Sequence, residues 1–242
     1  MKGVILSINP EVTIVDLTHN VPAQDVRGGA LILDDTAERF PDETIHVGVV
    51  DPGVGTKRAI LYAHIGGHHY IAPDNGLLSR LASRSAPSRL IRLENAEHWL
   101  PEVSATFHGR DIMAPVAARL SLGLDPDELG PRILALAELD WPGVRHAANR
   151  IDGMVLEIDS FGNLITNITG EMIGNRPTDN RVCIVCSIFE TWGIYHTYGQ
   201  HLAGTLVAVI GSNDRLELAV VGESAASILG VQVGAPVTVS WE

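Results

Sequence analysis

Ile45-His-Val-Gly-Val-Val-Asp-Pro-Gly-Val-Gly-Thr-Lys-Arg58 decides how this 242-residue chain is read. The first half is an apolar run of strand length, and the second is a glycine-rich loop opened by Asp51. A carboxylate at the end of a buried strand marks the sheet edge where α/β folds open into ligand-binding crevices. Upstream, residues 1–8 read as a helix stopped by Asn9-Pro10, residues 12–16 as a short β-branched run, and residues 25–40 as a helix ending before Pro41. Downstream, residues 59–65 and 68–72 flank Gly66-Gly67, a two-residue hairpin signal, and Asn75-Gly76 opens another helix. This alternation predicts an N-terminal three-layer α/β domain over residues 1–140 with a mostly parallel sheet.

The pattern changes after residue 140. Residues 141–150 begin with Trp141-Pro142-Gly143 and read as a linker. Residues 151–242 carry short strands at 153–158, 164–168, 182–187, 205–210, 216–221 and 236–241, with one brief helix at 223–229. Closely spaced strands with turn signals predict a smaller, barrel-like all-β domain.

Apolar residues make up 45% of the chain and charged residues 19%, the mix of a packed globule rather than a disordered segment. The net charge of −12 repels phosphate backbones, so nucleic acid is not expected as a partner. No apolar run approaches the roughly 20 residues that span a bilayer, and no leader pattern is visible, so the expected location is the cytoplasm, away from membranes. Cys183 and Cys186 are the only cysteines; they lie in a strand pattern and read as buried thiols rather than half of a metal or redox site.

Several residues could carry chemistry. Asp51 could cap its turn or act in a site, and Gly53 and Gly55 could let backbone approach a ligand closely. Arg58 is placed to hold the Asp51 carboxylate in its charged form. Within Thr106-Phe-His-Gly-Arg-Asp111, His108 could serve as a group titrating near neutral pH at a helix start. His64 and His68 have the i, i+4 spacing of a helical metal pair, but Gly66-Gly67 makes a hairpin of that segment, so no metal site is expected. In the second half, Phe161 beside Asn163 could stack on and hydrogen-bond a planar base. Glu217 is a charge on an apolar strand, facing either solvent or a ligand.

With these stretches in view, the chain resembles the S-adenosyl-L-methionine (SAM) hydrolases that form adenosine, also called SAM hydroxide adenosyltransferases, relatives of fluorinase and chlorinase. The resemblance rests on Asp16-Leu-Thr-His-Asn-Val-Pro22, Val49-Val-Asp-Pro-Gly-Val-Gly55, Ile71-Ala-Pro-Asp-Asn-Gly-Leu77 and Thr106 to Asp111. It continues through Phe161-Gly-Asn163 with Thr166-Asn167, and Ile210-Gly-Ser212 with Leu216-Glu-Leu-Ala-Val220. It implies attack of an activated water on the ribose 5′ carbon of SAM, releasing adenosine and L-methionine without a cofactor or metal. It also implies a homotrimer with active sites between neighbouring subunits.

Carried over residue by residue, the resemblance makes Asp51, Arg58 and His108 the catalytic set. The halogenating relatives carry an aromatic residue in place of Asp51 and lack the histidine at His108, which points to water rather than halide as nucleophile. Phe107 and Phe161 are expected to pack on the nucleoside, and Asn163 to hydrogen-bond it. Asp159 and Tyr198 fall on the ligand side, Ser212 and Glu217 at the amino-acid end, and Val220 near the adenine. Family members usually begin with a strand and a Thr-Asp-Phe-Gly block that binds the ribose hydroxyls, which is absent here; Val221 replaces a usual asparagine. A trimer that binds SAM or adenosine with little turnover is therefore the competing expectation.

Overall fold

Gly66-Gly67 sets the topology of the first sheet. Both residues have positive φ, 58° and 83°, the twist that lets two strands reverse over two residues. The computed structural model describes residues 1–242, which divide into two compact units, Met1–Asp140 and Trp141–Glu242.

The first unit opens with α1 (Lys2–Ile8), after which residues 12–16 join no sheet. α2 (Val26–Thr36) is capped by the Asp25 side chain, which accepts from the Gly28 N–H at 2.9 Å. Next come β1 (Ile45–Val47), β2 (Ile60–Ile65), β3 (His68–Pro73), α3 (Ser79–Arg84), β4 (Arg89–Arg92) and α4 (Ala114–Leu120). The sheet order is β1-β3-β2-β4. The α/β class expected from sequence holds, but the sheet is mixed rather than mostly parallel. Only β1 and β3 run parallel, while β2 pairs antiparallel with both β3 and β4. A two-residue connection cannot join parallel strands, so the Gly-Gly turn itself excludes the parallel arrangement.

Alternation along β2 and β3 divides the core between the two faces. Tyr62 and Ile71 point to the face covered by Val116 of α4 and by Ile112 and Met113 just before it. On the opposite face His46 stacks on Tyr70 and meets the Phe40 ring that follows α2.

The second unit is almost entirely β. Its elements are β5 (Arg145–Ala147), β6 (Arg150–Ile158), β7 (Leu164–Thr169), α5 (Gly170–Ile173), β8 (Val182–Cys186), β9 (Phe189–Trp192), β10 (Ile194–Tyr195), β11 (Leu206–Ile210), β12 (Arg215–Val220), α6 (Ala225–Leu229) and β13 (Pro236–Trp241). Residues 141–150 belong to this unit, where β5 pairs with β6. The strands run β10-β11-β12-β7-β6-β13-β8-β9, and the Thr191 hydroxyl on β9 donates to the Leu206 carbonyl on β11 at 2.9 Å, nearly closing a barrel. Its interior is aliphatic, with Ile151, Val155, Leu164, Ile168, Leu216 and Val239 fully buried. Both cysteines are free thiols. Three residues apart on β8, they point to opposite faces, as a period of two requires.

Candidate active site

The loop between β1 and β2 turns tightly through Asp51–Arg58, with the Val54 N–H on the Asp51 carbonyl and the Thr56 hydroxyl on the Gly53 carbonyl. Those turns bring Arg58 back over Asp51. Arg58 Nε donates to Asp51 Oδ1 at 2.8 Å, and Arg58 Nη2 donates to Asp51 Oδ2. The side chains retain only 9% and 4% of their exposure, so this is a shielded, bidentate pair.

Gly55, expected to clear space for a ligand, has protein as its close neighbour. With φ of 78°, it lies where a Cβ would meet the Ala105 carbonyl oxygen at 2.5 Å. That contact seats the loop against the segment leading to Thr106, Phe107 and His108. The helix expected at this segment begins as one π-turn, Gly109–Met113, before α4. Buried Asp111 anchors its start, accepting the Ser104 N–H at 2.9 Å and the Arg110 guanidinium.

Arg58 Nη2 reaches His108 Nδ1 at 3.0 Å. A guanidinium can only donate, so Nδ1 accepts and the proton of the neutral ring sits on Nε2. Burial lowers the His108 pKa below its ordinary value of 6.5, and the Arg58 charge lowers it further; Asp51 and Asp111 act in the opposite direction. The three expected catalytic residues therefore meet around one guanidinium, although they do not line one common cavity. Asp51 borders a groove of about 510 Å³ of mixed polarity, with Thr18, His19, Val49 and Leu77. Arg58 and His108 border another of about 620 Å³ with Asp74, Trp99 and Ile112. Phe107 is 57% exposed, with the Arg110 guanidinium 4.8 Å from its ring centre.

In the second unit, Asp159, Phe161, Asn163, Tyr198, Ser212, Glu217 and Val220 all line one cavity of about 870 Å³. Seven of the eight expected substrate-binding residues thus converge, with Phe107 the exception. Phe161 is 78% exposed and borders this cavity. Asp159 also shapes the backbone around it. Its Oδ1 accepts from the Phe161 and Asn163 N–H groups at 2.9 and 2.8 Å, and its Oδ2 accepts from Asn163 Nδ2 at 2.9 Å. These bonds build the turn that presents Phe161.

Glu217 sits on β12 between buried Leu216 and Leu218 and turns toward this cavity rather than bulk solvent. Burial raises its pKa, with Asp159 adding to the effect, while the hydrogen bond from the Tyr198 hydroxyl opposes it. Gly211, absent from the sequence-derived site, is what makes room for this carboxylate. A Cβ there would lie 1.7 Å from Glu217 Oε1. The signal for it was faint: a glycine directly after the apolar run of β11.

Comparison with known proteins places the whole chain within one family. Residues 1–130 match the SAM hydroxide adenosyltransferase N-terminal domain, and residues 153–238 match the corresponding C-terminal domain. An (R)-S-adenosyl-L-methionine hydrolase of Salinispora tropica is 37% identical over 96% of this chain and 88% of its own length. One of Thermus thermophilus is 35% identical over 98% and 91%. A fluorinase of an Actinoplanes species is 30% identical over 69% of this chain and 65% of its own. The crystal structure of an uncharacterized conserved protein from Thermotoga maritima superposes with a TM-score of 0.93 at 32% identity, covering 99% of this chain and 93% of that one.

Proposed function

We propose that this chain, which belongs to the SAM hydroxide adenosyltransferase family, hydrolyses S-adenosyl-L-methionine to adenosine and L-methionine. The observation that carries this reading is the joint presence of Asp51 and His108 on the two sides of Arg58, a polar set suited to holding water.

The chemistry is a displacement at the ribose 5′ carbon. A C–O bond forms, the C–S bond breaks, and its electron pair stays on sulfur as the sulfonium becomes a neutral thioether. Such a leaving group needs no acid, so the protein has only to place and activate the nucleophile. Asp51 spends one lone pair of each oxygen on Arg58 and keeps others to accept an O–H from water. His108, with Nδ1 held by Arg58, offers Nε2–H as a donor that fixes the water's orientation. The guanidinium orients Asp51 and lowers the energy of a hydroxide-like oxygen beside it. As the C–O bond forms, the water proton passes to an Asp51 oxygen and from there to solvent, which returns the carboxylate for the next turnover.

The cavity of the second unit supports the substrate half of the proposal. Phe161 offers a face for adenine to stack on, and the Asn163 amide carbonyl remains free for its amino group. Glu217 offers negative charge to the α-ammonium of the methionine moiety, with Ser212 beside it. Val220 supplies apolar wall. Phe107 is assigned to the nucleoside and Tyr198 to holding Glu217 in place. No helix is long and apolar enough to cross a membrane. A homotrimer working in the cytoplasm with active sites between subunits completes the proposal, and sedimentation of the purified protein tests the assembly.

The direct test is incubation of purified protein with SAM, with adenosine and methionine quantified by chromatography. Equimolar products, strongly reduced in Asp51→Ala and His108→Ala with SAM binding retained, support hydrolysis. Binding without turnover in the unaltered protein supports the competing reading, a SAM-binding trimer.

A further inference from the structure

On the sheet face of the first unit that carries Tyr62, a cluster outside the proposed catalytic set remains unexplained. His64 on β2 and His69 on β3 are directly opposite in the hairpin register, and their rings lie 4.9 Å apart. Glu43, in the turn before β1, reaches over both. Its Oε2 is 3.0 Å from His69 Nε2 and its Oε1 is 3.8 Å from His64 Nε2. One ligand atom from each of the three lies within 4.8 Å of the others. His68, by contrast, points to the opposite face beside His46.

The outer nitrogens of both rings are already fixed. His69 Nδ1 meets the Tyr62 hydroxyl at 2.6 Å, and His64 Nδ1 meets Ser88 Oγ at 2.6 Å. Ser88 Oγ also lies 3.3 Å from the His64 carbonyl, which it can engage as donor while accepting from His64 Nδ1–H. In that tautomer His64 Nε2 presents a lone pair toward the Glu43 carboxylate, and a cation seated between them satisfies both. Polar partners on the outer nitrogens, with the inner nitrogens directed at a shared carboxylate, are the arrangement that orients histidine ligands.

The backbone points the same way. Glu43 adopts φ of 65°, a left-handed conformation that a residue with a Cβ disfavours, and its N–H is tied to the Gly67 carbonyl at 2.8 Å. That conformation holds its carboxylate over the hairpin.

We propose that Glu43, His64 and His69 form a binding site for one divalent transition-metal ion of the zinc class. Two imidazoles and a carboxylate suit Zn²⁺ or Co²⁺, whereas Ca²⁺ and Mg²⁺ require more oxygen ligands. Bonds of about 2.0–2.1 Å at tetrahedral angles separate ligand atoms by roughly 3.3 Å; the 3.0 and 3.8 Å contacts are near that spacing, and all three ligand atoms already lie within 4.8 Å of one another, so side-chain movements of about 1.5 Å or less close the site. Three protein ligands leave a fourth position for water. The ion would tie the turn before β1 to the β2–β3 hairpin.

Titration calorimetry of the full chain, freed of metal and then given ZnCl₂, tests the site. The expected result is one Zn²⁺ per chain, with affinity reduced at least about 10-fold in Glu43→Gln and in His64→Gln, and about 10-fold in Ser88→Ala through loss of ring orientation. Glu43 and Ser88 are exposed, so those substitutions do not threaten the core. Co²⁺ should give visible absorption bands of low-coordinate cobalt that vanish in His64→Gln. Absence of saturable Zn²⁺ binding, equal binding of Ca²⁺, or Zn²⁺ affinity unchanged in both Glu43→Gln and His64→Gln would overturn the assignment.

Discussion

Replacing Arg58 with methionine tests the Asp51–Arg58–His108 arrangement through stability, independently of any substrate. The change keeps most of the side-chain stem but removes the charge. It deletes both hydrogen bonds to Asp51 and the one to His108. The Asp51 carboxyl group is then left at 4% side-chain exposure without its cation. Removing one partner of such a buried pair costs about 3–5 kcal/mol, which for a chain of this size lowers the melting temperature by roughly 6–20 °C. Asp51→Asn alone strands the Arg58 charge at 9% exposure and should cost a similar amount. The double variant leaves neither charge unpaired, so its cost should fall at least about 2 kcal/mol below the sum of the singles. Urea denaturation of all four proteins, read by circular dichroism, closes this cycle. Additive losses would show that the pair carries no coupling and would refute the reasoning.

Other predictions follow from the same geometry. Because His108 is held below 6.5, neutral imidazole persists into mildly acidic solution, and the acid limb of turnover should lie below that value. By imidazole NMR, Asp51→Asn should lower the His108 pKa further and Arg58→Met should raise it; the opposite signs would contradict the charge assignment. Gly211→Ala displaces the Glu217 carboxylate and should raise KM for SAM about 10- to 100-fold with a smaller effect on kcat, a change worth one charge-assisted contact. Phe161→Ala removes an exposed stacking face and should weaken SAM binding about 5- to 100-fold in calorimetry while leaving thermal stability nearly unchanged.

Much of this fold is readable from sequence because the deciding features are local. The strand–loop passage from Ile45 to Arg58 shows its turn in its own glycines, and the strands of the second unit show themselves by alternation. The sheet direction was misread although the decisive signal was present, since a Gly-Gly hairpin makes its two strands antiparallel. The same hairpin count also places His64 opposite His69, not His68. Nothing local reveals that Glu43 folds over that pair, because its position depends on a tertiary hydrogen bond to Gly67. Gly55 and Gly211 were obscure for the same reason: each glycine exists for a neighbour brought by folding, the Ala105 carbonyl in one case and the Glu217 carboxylate in the other. Asp159 shows the reverse problem. Its place in a ligand-side motif was clear, but its three bonds within the turn emerge only in three dimensions.

The central claim is that water held by Asp51 and His108 displaces methionine at the 5′ carbon. Turnover of SAM in water enriched in ¹⁸O, with mass analysis of the adenosine formed, tests it most directly. The account predicts one ¹⁸O in the 5′-hydroxyl group, methionine in equal amount, and no 5′-halogenated nucleoside when chloride or fluoride is added. Adenosine without label, or none above the uncatalysed rate, would contradict it.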